Sequence, residues 1–165
     1  MDQRSRGRPR GTTGKAAALS SAQIKQVFRV ARRVRHGDRA EVALALSIEL
    51  GLRASELAAL DWSDVYRSDG TVREAIYVEC AYTRGSKTRL VTGSPKLRSL
   101  LADYREKQTF SWSECDQDAP LFRSQRGGRM TAASMARFIT GLYRKAVVAG
   151  GSSRTGRRTH LIRNQ

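Results

Sequence analysis

Arg53 and Glu56 stand three residues apart in the segment Ile48–Val65, IELGLRASELAALDWSDV. On a helix that spacing puts both side chains on one face. Leu57 and Leu60 turn to the other side, toward a core. An arginine steadied by a carboxylate is a preorganised clamp for an oxyanion such as a phosphodiester. The same pair also occurs on the solvated face of ordinary amphipathic helices, where it is common and weak. Gly51 ends the apolar helix before the segment, Ala43–Leu50, and Arg53 opens the next helix.

The wording of this segment resembles the first arginine box of the tyrosine recombinases, the phage-integrase family. That box reads TGLR-x-SEL-x-x-L-x-W-x-D-V, and it is matched at Gly51, Leu52, Arg53, Ser55, Glu56, Leu57, Leu60, Trp62, Asp64 and Val65. Gly150–Thr159, GGSSRTGRRT, resembles the family's second box, SS-H-S-G-R-R-T-F. In that register Arg157 is the second clamp arginine, and Arg154 stands where the family has histidine. His160 and Arg163 also satisfy H-x-x-R, but Ser152-Ser153 and Arg157-Arg158-Thr159 favour the first frame. Between the boxes, Tyr82–Arg89 (YTRGSKTR) reads as a cationic hairpin tip. It resembles the place where the family's K-G-x-K-x-R brings a lysine to the leaving 5′ oxygen. Arg84 falls in the usual lysine slot and Lys87 in that of the second cation. Arginine is a poor proton donor because its pKa stays above about 12, so Arg84 and Lys87 are both kept as candidates.

The resemblance implies an α+β, mainly helical catalytic domain with a small antiparallel hairpin. It implies catalytic roles for Arg53, Lys87 and Arg157, with Glu56, Arg84 and Arg154 beside them, and it needs no metal and no other cofactor. In the family a tyrosine attacks the scissile phosphate and forms a 3′-phosphotyrosyl link, on a helix beyond the second box. Here eight residues follow Arg157, and all five tyrosines (Tyr66, Tyr77, Tyr82, Tyr104 and Tyr143) precede it. The expectation is an integrase-type domain that is C-terminally incomplete and unable to cleave alone. A tyrosine supplied in trans by another recombinase subunit would complete it. The alternative is a non-catalytic DNA-binding accessory on the same scaffold. The family's large core-binding domain has no counterpart in this sequence.

Composition points to a polyanionic partner independently. Lys and Arg number 31 against 15 Asp and Glu, a formal charge of +16, which attracts and steers nucleic acid. From Leu121 to Gln165 there are ten Lys and Arg residues and no acid. Ribosomal or chromatin-like binding would explain the charge alone equally well, so charge gives the partner class and not the reaction. Double-stranded DNA is the expected partner, contacted by Arg6, Arg8, Arg84, Arg89, Arg137, Arg144, Lys145 and Arg158. Cys80 and Cys115 have neither metal-ligand nor disulfide-framework spacing, and they read as reduced thiols in a cytoplasm. His36 and His160 lack the partners of a zinc site. No apolar run is long enough to span a membrane.

The elements that position these groups follow from pattern. Residues 1–19 read as a disordered basic tail in which Arg6-Gly7-Arg8-Pro9-Arg10 resembles an AT-hook core. Residues 20–165 read as the domain. Ser20 or Ser21 caps a helix to about Arg35; His36-Gly37-Asp38 breaks it, and Ala40–Leu50 is a second, buried helix. Ala75–Cys80 and Leu90–Thr92 read as strands, and Pro95–Tyr104 as a helix. After a loop at Asp116–Pro120 and a turn at Gly127-Gly128, Thr131 caps a basic amphipathic helix, Ala132–Val148. Met135, Phe138, Ile139 and Leu142 form its apolar side, and its cations suit a phosphate backbone. The purified chain is expected to bind duplex DNA without sequence preference. If about six phosphates are neutralised, affinity falls about thousandfold between about 50 and 200 mM salt. A flat salt dependence across that range excludes the electrostatic account.

Overall fold

The structure is a computed structural model that describes residues 16–80, 87–108 and 116–165. Seven helices and two strands follow in chain order among these residues: α1 Ser21–Arg33, α2 Gly37–Glu49, α3 Ala54–Ala59, α4 Trp62–Val65, β1 Ala75–Cys80, β2 Lys87–Thr92, α5 Pro95–Glu106, α6 Ala132–Lys145 and α7 Thr155–Arg163. The class is α+β and mainly helical, as expected. None of these helices is long and apolar enough to cross a membrane.

Local chemistry sets most of the boundaries. Ser20 and Gln23 form a reciprocal capping box at the start of α1, satisfying two otherwise orphaned backbone N–H groups. Ser94 accepts from the backbone N–H of Leu97, with Pro95 at the first helical position of α5, where a missing N–H costs nothing. Thr131 caps α6 by accepting from the Ser134 N–H. α2 forms the centre of the core. From Val42 to Ile48 every residue is buried, Ser47 included, and α1, α5 and α7 pack around it.

β1 and β2 pair antiparallel, with Ala75 opposite Thr92 and Cys80 opposite Lys87. Ile76 and Val78 are buried, while Tyr77 and Leu90 face each other on the outer side. The second strand is longer than Leu90–Thr92, because Lys87 and Arg89, placed in the turn by residue type, belong to the ladder. A ladder is made of backbone groups, and Arg89, opposite buried Val78, is accommodated on the inner side by the carboxylate of Glu56. Arg84 and Tyr82, at the hairpin tip, lie outside the described residues, as do Arg6 and Arg8. Ala16–Ser20, placed with the basic tail through residue 19, lies against the domain. Leu19 is buried, and its N–H donates to Thr159 Oγ1 at 2.9 Å.

The end of α6 differs from expectation in an instructive way. The helix stops at Lys145 rather than Val148, because Val147 adopts a left-handed backbone with φ of 55°. The N–H groups of Val147 and Val148 donate to the carbonyls of Arg144 and Tyr143, both at 3.0 Å. These two bonds are the Schellman closure that glycine usually makes. It returns Val148 to the core and leaves Val147 84% exposed. A β-branched residue is strained in that region. Val147→Gly is therefore expected to stabilise the domain by about 1 kcal/mol. The check is a higher urea midpoint with an unchanged m-value, and a lower midpoint would contradict the strain assignment.

Candidate functional site

Arg53 is the N-cap of α3, reached by a sharp exit from α2 at Gly51, whose φ is +66°. Its own backbone N–H donates to Glu56 Oε2 at 2.7 Å. Glu56 is 4% exposed, and the same oxygen accepts from Arg89 Nη2 of β2 at 3.0 Å. The Arg53 guanidinium lies 3.7 Å from the other carboxylate oxygen. Glu56 thus steadies Arg53 chiefly through its backbone and leaves the side chain half exposed. Arg89, expected at the DNA, is bonded to that carboxylate. One buried acid ties the hairpin to the first arginine.

The second box is carried by α7 and the loop before it. Ser152 N–H donates to Thr155 Oγ1 at 2.9 Å, and Ser153 N–H to Thr140 Oγ1 of α6 at 3.1 Å. Gly156 lets the helix close on α2, since a Cβ there would stand 2.2 Å from Ser47 Oγ. Arg157, half buried, then reaches across the fold and donates from Nη1 to the Gly51 carbonyl at 2.9 Å.

These contacts bring the two boxes to one cleft of about 510 Å³. Its lining includes Arg53, Arg154, Arg157 and Arg158, together with Ala54, Ser55, Ala132 and Ser153, and no acid. The first turns of α6 and α7 open onto it, and helix N-termini carry partial positive charge and free N–H groups. A cleft lined in this way has the donors and the charge that a tetrahedral oxyanion requires. His160 and Arg163 go elsewhere, lining a separate groove beside α1, α2 and α5. Arg137, Arg144 and Lys145 are exposed on α6. The backbone of Lys87 is in β2, opposite Cys80. Ser55, Ser153 and Ala16 also line the cleft and were not singled out by residue type. Their positions depend on which loops converge.

Three of the tyrosines are poor nucleophiles where they stand. Burial raises the hydroxyls of Tyr66 and Tyr143, and it pushes Tyr104 up to about 12. The Tyr66 and Tyr104 hydroxyls donate to the carbonyls of Leu101 and Leu121. Tyr77 is on the outer face of β1 with the Arg73 guanidinium over its ring. None of these four lines the cleft. Tyr82 lies outside the described residues. Among the described residues no three His, Cys, Asp or Glu side chains gather as metal ligands would.

The Glu56 junction makes a measurable demand. Glu56→Ala strands the Arg53 N–H and the Arg89 guanidinium, with an expected cost of about 2–3 kcal/mol. A double-mutant cycle with Arg89→Ala should return a coupling of roughly 1 kcal/mol. A coupling of zero would mean that the hairpin is not held through this carboxylate.

Comparison with known proteins agrees with this geometry. Residues 17–165 match the phage integrase family. The tyrosine recombinase XerD of Oceanobacillus iheyensis is 26% identical over 151 residues, covering 88% of this chain and 48% of that protein. The crystal structure of XerA recombinase superposes with a TM-score of 0.69 at 24% identity, covering 94% of this chain and 53% of the other. The Tn1549 transposon integrase, in complex with circular intermediate DNA, gives a TM-score of 0.68 at 19% identity, covering 92% and 55%. A lambda integrase dimer bound to a COC′ core site gives 0.61 at 15% identity, covering 87% and 39%. The chain spans about half the length of the relatives it matches. With both arginine boxes at one cleft and the match running through almost all of its residues, this chain belongs to the phage integrase family.

Proposed function

We propose that this domain binds duplex DNA and holds a scissile phosphodiester between Arg53 and Arg157 during recombination. The observation that carries the reading is the convergence of Arg53, Arg154, Arg157 and Arg158 on one acid-free cleft. In-line attack on phosphorus builds charge on the nonbridging oxygens, and guanidiniums fixed beforehand stabilise it without reorganising. The Gly51 carbonyl holds the Arg157 guanidinium, and Glu56 holds the backbone from which Arg53 reaches the cleft. A tyrosine oxygen would form the 3′-phosphotyrosyl ester as the 5′ oxygen leaves and takes a proton. Lys87 or Arg84 serves that oxygen, and lysine is the better donor. Arg154 and Arg158 add charge at the cleft, and Arg137, Arg144 and Lys145 follow the DNA backbone.

The attacking tyrosine, in this reading, is not one of the five in residues 1–165: Tyr66, Tyr77, Tyr104 and Tyr143 do not line the cleft, and Tyr82 precedes the second box, beyond which the family carries its nucleophile. The domain then binds DNA unaided but does not cleave it alone. A further recombinase subunit on the same DNA is the partner, and the lambda integrase dimer on its core site is an example of that arrangement in the fold. The setting is the cytoplasm, on DNA. Service as a non-catalytic DNA-binding accessory on the same scaffold is the second reading, which the burial of Tyr66, Tyr104 and Tyr143 away from the cleft favours.

A nicked duplex carrying a 3′-phosphate at the nick tests the clamp against intact duplex. Arg53→Ala and Arg157→Ala should each weaken binding to the nicked DNA about tenfold more than binding to the intact one. Arg137→Ala should weaken both alike. Equal losses for all three variants would reduce the cleft to generic charge contacts. Incubation of the unmodified chain with a suicide substrate should leave no denaturation-resistant adduct. An adduct mapped to Tyr66, Tyr77, Tyr82, Tyr104 or Tyr143 would overturn the external nucleophile.

A further inference from the structure

Helix α7 meets the turn between α2 and α3 at two points. Arg157 donates from Nη1 to the Gly51 carbonyl at 2.9 Å. Three residues further along α7, about one helical turn, the His160 ring lies against the backbone of the same glycine. A Cβ built on Gly51 would stand 2.7 Å from His160 Cδ2 and 3.0 Å from Cγ. Gly51 is buried and has a left-handed backbone with φ of 66°. One helix thus bonds the carbonyl of this residue and packs a ring on its α-carbon.

The second contact matters because of what the first one uses. Glycine has no side chain to anchor its backbone, and it rotates more freely than any other residue. The acceptor that fixes Arg157 therefore belongs to the residue least able to fix itself. The His160 ring fills the space into which the Gly51 peptide could otherwise turn. Asn164 Nδ2 lies 3.1 Å from the ring Nδ1 and donates to the His160 carbonyl at 2.9 Å. Asn164 is exposed, and a bond open to water contributes little, so packing on Gly51 is the contact that counts. The residue type agrees. The second box of the family ends in T-F, and His160 follows Thr159 in the phenylalanine slot. Both side chains are planar rings.

We propose that His160 is a positioning residue for the clamp, holding the Gly51 carbonyl where Arg157 meets it. This rests on the reading of the cleft as a phosphodiester clamp. The ring lines the other groove and acts through Arg157, without touching the phosphate. His160 and Arg163 imitate a second box in sequence, yet His160 serves the true box from behind.

The ratio of affinities for the nicked 3′-phosphate duplex and the intact duplex tests this. His160→Ala should lower that ratio about fivefold, while affinity for intact duplex stays within about twofold. In an Arg157→Ala background the same substitution should lower the ratio no further, as for residues that act as one unit. His160→Phe keeps a ring on Gly51 and should recover most of the ratio. His160→Leu fills a similar volume but branches where the ring is planar, and it should lose the ratio as alanine does. It also covers the case in which alanine unfolds the chain, which the urea midpoint reports. If Arg157→Ala lowers the ratio and neither folded His160 variant does, the proposal fails and the clamp stands. Losses that add in the double variant would make His160 a general support of the fold and overturn the proposal. A phenylalanine variant as weak as the leucine one would also overturn it, because the ring contact would then not be what acts. Arg157→Ala without effect on the ratio would sink the clamp reading and this proposal with it.

Discussion

The bond between Arg157 and Gly51 joins the two halves of this site. Arg157 donates to the carbonyl of Gly51 across 106 residues of sequence, and everything at the cleft depends on the close approach that permits it. The approach is made by residues without side chains. Gly156 sets the first turn of α7 against Ser47 of α2, where a Cβ would stand 2.2 Å from the hydroxyl. Gly51 turns the chain at φ +66° and leaves room for the His160 ring, which would otherwise meet a Cβ at 2.7 Å. Ser47 Oγ is buried at this contact with no partner, an uncompensated cost that the packing of α7 on α2 offsets. Larger residues at these points would push α7 away and separate the guanidiniums.

Charge is organised around the same contact. Net positive charge of this size repels itself, and a domain that collects arginines at one cleft works against its own stability. Glu56 is the compensating group. It is the one buried acid among the described residues, and it faces both the backbone of Arg53 and the guanidinium of Arg89. It leaves the guanidiniums of Arg53, Arg154 and Arg158 toward the cleft. A buried carboxylate is costly unless its oxygens are filled with donors, and here the donors come from two different elements. The same two bonds that satisfy the acid fix the hairpin to α3. Charge balance and positioning are one interaction.

The fold also separates residues that might be confused in sequence. The spacing of His160 and Arg163 imitates that of Arg154 and Arg157, yet the two pairs open onto different grooves. The helical turn explains this. Arg154, Arg157, Arg158 and Leu161 lie on the face of α7 turned to the cleft, whereas His160 and Arg163 lie on the face turned to the other groove. Tyrosines are separated similarly. Tyr66, Tyr104 and Tyr143 are buried in the core; the first two hydroxyls donate to carbonyls and the third is enclosed without a hydrogen-bond partner.

Much of this was legible in the sequence because it is local. Caps at Ser20 and Thr131, the break at Gly51, the strand Ala75–Cys80 and the apolar period of α6 follow from near neighbours. The wording of the two boxes identified the family, and it singled out Arg53 and Arg157, which the fold brings to one cleft. Elements were misjudged where a distant partner decided. Lys87 and Arg89 look like turn residues until β1 supplies a ladder, and α6 ends three residues early because Val148 is recovered by the core. The partner of Glu56 was set by tertiary structure as well, since Arg89 is 33 residues away. So was the entry of the chain at Ala16 beside Arg157. Sequence determines which residues can bind phosphate and on which faces they lie. Only packing decides which of those faces meet, because that depends on the depth to which α7 settles on α2.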